Sequence, residues 1–143
     1  MGRTQDGFAQ AILVVVHRHA PEMEQALGCD VTFVPHLVPL DRGILSTIYA
    51  RLRPGVEARD VSAALEEAYA DAPFVRLGGD TLPEIKHVAH TNFCDIGWRV
   101  DDSAASRRVV LVSVLENLLK GAAGQAVQVF NVALGYDERL ALR

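Results

Sequence analysis

The chain has 143 residues, half of them hydrophobic, and a formal charge of -4. That length gives one ordinary domain with a sizeable core and excludes two. The acidic balance argues against a nucleic-acid partner, which needs a basic surface. The longest apolar run near the N-terminus, "AILVVV", is far too short to cross a bilayer.

Gln5 and Asp6 precede that run and no small-residue cleavage site follows it, so it does not read as a signal peptide. Cys29 and Cys94 read as two reduced thiols, and the expected compartment is the cytoplasm. "ILVVV" (12–16) is β-branched and predicts a strand. "HRHAPEMEQALG" then predicts a short helix. Pro21 and Glu22 fit its first turn and Gly28 its C-terminal cap, which sets His17 and His19 just ahead of it. "DVTFVPHLVPL" (30–40) predicts a strand broken by Pro35 and Pro39.

"GILSTIYARLR" (43–53) alternates cleanly and predicts a strand with two distinct faces. Residues 57–71 carry Val61, Ala64, Leu65, Ala68 and Tyr69 at helical steps, an amphipathic core helix. "FVRLG" predicts a short strand. Residues 87–102 predict a longer one, irregular at Gly97. "RRVVLVSVLE" is a nearly continuous apolar run, which a central strand covered on both faces requires. A last helix is expected over 115–135, with an apolar stripe from Leu115 to Leu134. The sum is an α+β fold, a largely antiparallel or mixed sheet covered by helices.

That last helix carries a second stripe: Asn117, Gly121, Gly124, Gln125, Gln128 and Asn131. Each interior glycine costs about 1 kcal/mol relative to Ala. Their absent Cβ atoms allow a close approach, either by a packing neighbour or by a ligand.

"VLENLLKGAAGQAVQVFNVALG" resembles the C-terminal helix of the semialdehyde dehydrogenases, in particular the N-acetyl-gamma-glutamyl-phosphate reductases. "HRHAPEMEQAL", "TFVPHLVPLDRGILSTIYARL" and "HTNFCDIGWRVD" resemble the same family, in the same order. The resemblance covers 17 to about 141, leaving 1–16 as a divergent N-terminal segment and 17–143 as a substrate-binding and dimerisation domain. It implies a glyceraldehyde-3-phosphate-dehydrogenase-like C-terminal domain that pairs with a second copy. It also implies an NADP-dependent reductase that turns an acyl phosphate into a semialdehyde in arginine biosynthesis. By resemblance, His17 or His19 is the acid/base and Arg18, Glu22, His36 and Arg42 are substrate contacts. Asn117, Gly121 and Gly124 would lie beside NADP.

The chain departs from the family in two places. It has no Gly-rich dinucleotide turn and no Pro-Gly-Cys nucleophile motif. Cys29 and Cys94 are expected to be structural. The simplest expectation is a truncated copy, inactive alone. The rivals are a stand-alone dimerisation or regulatory module, and part of a reductase for an aspartyl or aminoadipyl phosphate. His17 and His19 at i, i+2 share one strand face, but a third metal ligand is not evident, so no metal is expected.

Overall fold

A computed structural model describes residues 10–11, 19–101 and 107–142. The chain forms two compact units, residues 1–41 and 42–143. In the first, β1 (Gln10–Ala11) pairs antiparallel with β2 (His36–Leu37). Helix α1 (His19–Leu27) carries Glu22 in its first turn and stops where expected. Gly28 turns left-handed at φ 66° and donates its N–H to the Glu24 carbonyl, which satisfies one of the helix's open carbonyls. The broken strand expected over 30–40 shrinks to β2, since Pro35 and Pro39 lack a ladder donor. The strand expected over 12–16 lies outside the described residues.

The second unit holds β3 (Ile44–Arg51), α2 (Ala58–Tyr69), β4 (Val75–Gly79), β5 (Cys94–Asp101) and β6 (Arg108–Leu115). Its four strands run in the order β3-β6-β5-β4, with β6 antiparallel to both neighbours and β4 parallel to β5. The sheet is therefore mixed. A parallel pair needs a long crossover, and residues 80–93 provide it.

Both faces of β6 are covered, as its apolar run requires. On one, Val61 and Leu65 of α2 pack on Ile96, Trp98 and Val109. The Trp98 indole N–H donates to Ser62 Oγ at 3.2 Å, a bond worth about 1 kcal/mol. On the other, Val112 and Val114 meet Val88, Ile85 and Phe93 from the crossover. The sequence predicts a strand over 87–93, but the chain turns there: Ile85–His87 is a single 3-10 turn and His90 sits at φ 62°. Arg76 pins the crossover. It forks onto Asp95 at 2.6 and 2.8 Å, donates to the His87 carbonyl and lies 4.5 Å over the Phe93 ring.

The irregularity expected at Gly97 falls on the neighbouring strand. The register slips between Leu77 and Gly79, which leaves Gly78 as the extra residue. Gly97 itself is buried, with the Thr81 carbonyl oxygen where a Cβ would stand and Leu82 Cα 3.2 Å from that point. The crossover passes over β5 at this glycine.

The alternation in β3 does not bury one face. All eight of its residues are exposed, because as the edge strand it projects beyond both α2 and the crossover. β5, by contrast, lies inside the sheet with Ile96, Gly97 and Trp98 buried.

The last helix departs most from expectation. It opens with a π-turn, Leu119–Ala123, and continues as α3 (Gly124–Ala133). Five-residue bonds define the turn: Gly121 N–H to the Glu116 carbonyl and Ala123 N–H to that of Leu118, both 2.9 Å. The helix is also inverted relative to its apolar stripe. Its buried residues are Gly124 and Asn131. Val129, Phe130, Val132 and Leu134 are each more than half exposed.

Candidate functional site

The N-terminal end of β3 and the C-terminal end of β6 lie side by side, since Ile44 pairs with Leu115. Residues 42–43 and 116–117 therefore meet just past the sheet. The Gly43 N–H donates to Asn117 Oδ1 at 2.7 Å. Gly43 needs to be glycine there: its φ is 115°, and Ile85 fills the place of a Cβ.

Glu116 is the feature that sequence reasoning missed. Its side chain is 0% exposed. A buried carboxylate is costly unless it is paired and hydrogen-bonded. Here Oε1 accepts the Leu118 N–H at 3.0 Å and Oε2 that of Leu119 at 2.7 Å, so the side chain caps the opening of the π-turn. The Arg42 guanidinium supplies the counter-charge, with Nη1 3.7 Å from Oε1. The available signal was an acid placed directly between an apolar strand and a helix, where a cap is wanted.

Of the expected site residues, Arg42 and Asn117 are brought together at this junction, with Gly121 in the adjoining turn. Gly121 is exposed, and a Cβ there would make ordinary contact with Leu115 Cδ1 at 3.4 Å and the Glu116 carbonyl oxygen at 3.5 Å. Gly124 is different. The Asn92 side-chain oxygen sits where its Cβ would stand, so packing explains this glycine. In the 1–41 unit, His19 is the exposed first residue of α1 and Glu22 lies exposed one turn on. His36 is exposed in β2, with Nδ1 3.1 Å from the Val34 carbonyl oxygen. His17 and Arg18 lie outside the described residues.

The amide stripe is a polar seam. Gln128 Oε1 accepts from Asn92 Nδ2 at 3.1 Å and from Lys120 Nζ at 2.7 Å, and Gln128 Nε2 donates to Glu138 at 3.1 Å. Asn131 Nδ2 donates to the carbonyls of Glu138 and Leu140. Burial holds the Lys120 pKa below its ordinary value, against the opposing pull of Cys94 and Glu138. The Cys94 thiol lies 3.4 Å from Ser113 Oγ. Among the described residues no group of His, Cys, Asp and Glu could hold a metal ion, and no helix is long and apolar enough to cross a membrane.

Residues 4–117 match the family model for the semialdehyde dehydrogenase dimerisation domain. The chain is 48% identical, over 88% of its length, to an N-acetyl-gamma-glutamyl-phosphate reductase of Vibrio parahaemolyticus, and covers 36% of that protein. It is 46% identical, over 96% of its length, to one of Syntrophobacter fumaroxidans, and covers 41% of it. The chain thus spans about two fifths of the length of these curated relatives. The fold is that of an aspartate semialdehyde dehydrogenase from Vibrio cholerae, with a TM-score of 0.63 at 22% identity over 80% of this chain and 35% of that one. A Francisella tularensis aspartate semialdehyde dehydrogenase matches at TM-score 0.62 and 17% identity, over 87% and 39% of the two chains. The four-stranded mixed sheet, its crossover and the matched residues together make this chain a member of the semialdehyde dehydrogenase dimerisation-domain family.

Proposed function

We propose that this chain is the substrate-binding and dimerisation part of an NADP-dependent reductase. Its reaction would convert N-acetyl-gamma-glutamyl phosphate to the semialdehyde, in the cytoplasm, as a step of arginine biosynthesis. The observation that carries the reading is the 48% identity to a reductase of that name across 88% of the chain. The sequence contains no Pro-Gly-Cys and no Gly-rich dinucleotide turn. Catalysis therefore requires a nucleophilic cysteine and a nucleotide domain from a longer parent or a complementing chain.

Within that enzyme, Arg42 binds the substrate's phosphoryl group, because a planar guanidinium matches it bidentately. Its side chain is one-third exposed and, among the described residues, it makes an ion pair with Glu116 alone. Arg18, Glu22 and His36 are further substrate contacts. His17 or His19 moves the proton, since imidazole titrates near neutrality. When bound, the cofactor supplies the hydride. Asn117 and Gly121, at the half-buried junction and the exposed turn, fit a place beside its nicotinamide end. Gly124 does not fit, because Asn92 fills the space that a close approach would use.

The test is NADP-dependent oxidation of N-acetylglutamate semialdehyde in the presence of phosphate. The chain alone should be inactive. Mixed with the N-terminal part of a full-length relative, it should give turnover that Arg42→Ala abolishes. Proper association without turnover would favour the non-catalytic dimerisation module instead.

A further inference from the structure

We propose that Glu116 is a positioning residue that holds the Arg42 guanidinium ready for a phosphoryl group; this rests on the reading of Arg42 given above. Three observations converge on it. First, Glu116 is wholly buried and both its oxygens are committed to backbone N–H groups, at 3.0 and 2.7 Å, so the carboxylate cannot turn to follow a moving partner. Second, Arg42 Nη1 stands 3.7 Å from Oε1, within ion-pair range but outside hydrogen-bond range. The carboxylate fixes where the guanidinium sits while leaving its N–H donors open, and no described residue takes one by a hydrogen bond. Third, the residue that follows Arg42 is clamped. Gly43 donates its N–H to Asn117 Oδ1 at 2.7 Å, and Ile85 fills the space where a Cβ on it would stand. Arg42 is thus fixed at its root by backbone and at its tip by charge, which lowers the ordering cost of binding an anion.

A plain counter-charge would have the opposite effect. A carboxylate beside an arginine weakens its pull on anions, so removing it would tighten phosphate binding. The two roles are separated by sign. The experiment titrates the 143-residue chain with inorganic phosphate, followed by NMR shifts of the Arg42 Nε–Hε group and neighbouring amides. Glu116→Gln, which removes the charge, and Glu116→Asp, which keeps the charge but shortens the reach, should each weaken binding by about tenfold. Arg42→Ala should abolish it.

Phosphate affinity that survives Arg42→Ala, or that the wild-type chain lacks, defeats both the reading of Arg42 and this proposal. Affinity lost in Arg42→Ala but unchanged or tighter in Glu116→Gln defeats the proposal alone. Should the Glu116 variants fail to fold, Nε relaxation of Arg42 in the phosphate-free wild-type chain decides. An order parameter near the rigid-backbone value of about 0.85 is expected, and one below about 0.6 overturns the proposal.

Discussion

The side-chain oxygen of Asn92 occupies the place where a Cβ on Gly124 would stand. Asn92 is buried, and this oxygen accepts no hydrogen bond, so the contact is one of shape. Gly124→Ala should therefore destabilise the chain. Overpacking costs about 1–3 kcal/mol, against a gain of up to about 1 kcal/mol in helix propensity. Gly121→Ala meets only ordinary contacts and should stabilise by up to about 1 kcal/mol. Urea denaturation of the two variants checks this, and equal effects of either sign would contradict it.

Asn131 staples the segment after α3 by donating to the carbonyls of Glu138 and Leu140 at 3.3 and 2.8 Å. Asn131→Asp would set a carboxylate against two carbonyl oxygens. The expected loss is about 1–3 kcal/mol, from the two hydrogen bonds that are lost. Residues 136–142 should then exchange their amides faster and be cut by trypsin at Arg139, while the exchange of β5 and β6 stays slow.

Lys120 gives a pH dependence of definite sign. Burial holds its folded pKa below the ordinary 10.5, so in alkaline solution the unfolded chain binds more protons than the folded one. Stability contributed at this site is full above the unfolded pKa and is lost as pH falls through the folded one. Relative to Lys120→Met, the wild-type chain should gain stability as pH rises toward 10.5. Thermal melts of both proteins at several alkaline pH values measure the difference; a gap that narrows or reverses with rising pH would contradict the assignment.

β3 is an edge strand of eight residues with apolar side chains on both faces and no charge before Arg51. Exposed edges of this kind seek partners unless charges blunt them. The chain should be a dimer at micromolar concentration, of twice 15.5 kDa. Lysine at both positions 48 and 49 (Ile48→Lys with Tyr49→Lys) charges each face and should give a monomer. Light scattering after size exclusion reads the mass, and a wild-type monomer would remove β3 from the interface.

The elements that were legible in the sequence are those whose cover lies within the chain. α2 showed Val61 and Leu65 at helical spacing because both face the sheet. β6 showed a continuous apolar run because α2 and the crossover cover it from opposite sides. The misread segment 87–93 has strand-like composition, but its conformation is set by its path as a crossover, which depends on β4 and β5 being parallel. The apolar stripe on α3 was found in the sequence, but its periodicity did not say that the glycine and amide side would be the one packed within this chain. Periodicity locates an apolar face without saying what covers it. Arg42, Asn117 and Gly121 entered as candidates through the family resemblance; Glu116 offered at most the signal of a cap, since only the register of β3 against β6 brings it to Arg42.

The inversion of α3 sets how rigidly its outward side is displayed. Apolar contacts let a helix roll about its axis by small steps at little cost, whereas hydrogen bonds tolerate little rotation. Gln128 fixes the azimuth of α3 through its bond with Asn92 on the inward side, and Gly124 leaves no slack against the same Asn92. Val129, Phe130, Val132 and Leu134 are consequently presented at one angle, as a preset template rather than an adaptable surface. A body that docks on them meets a relief already shaped and pays little entropy to order it.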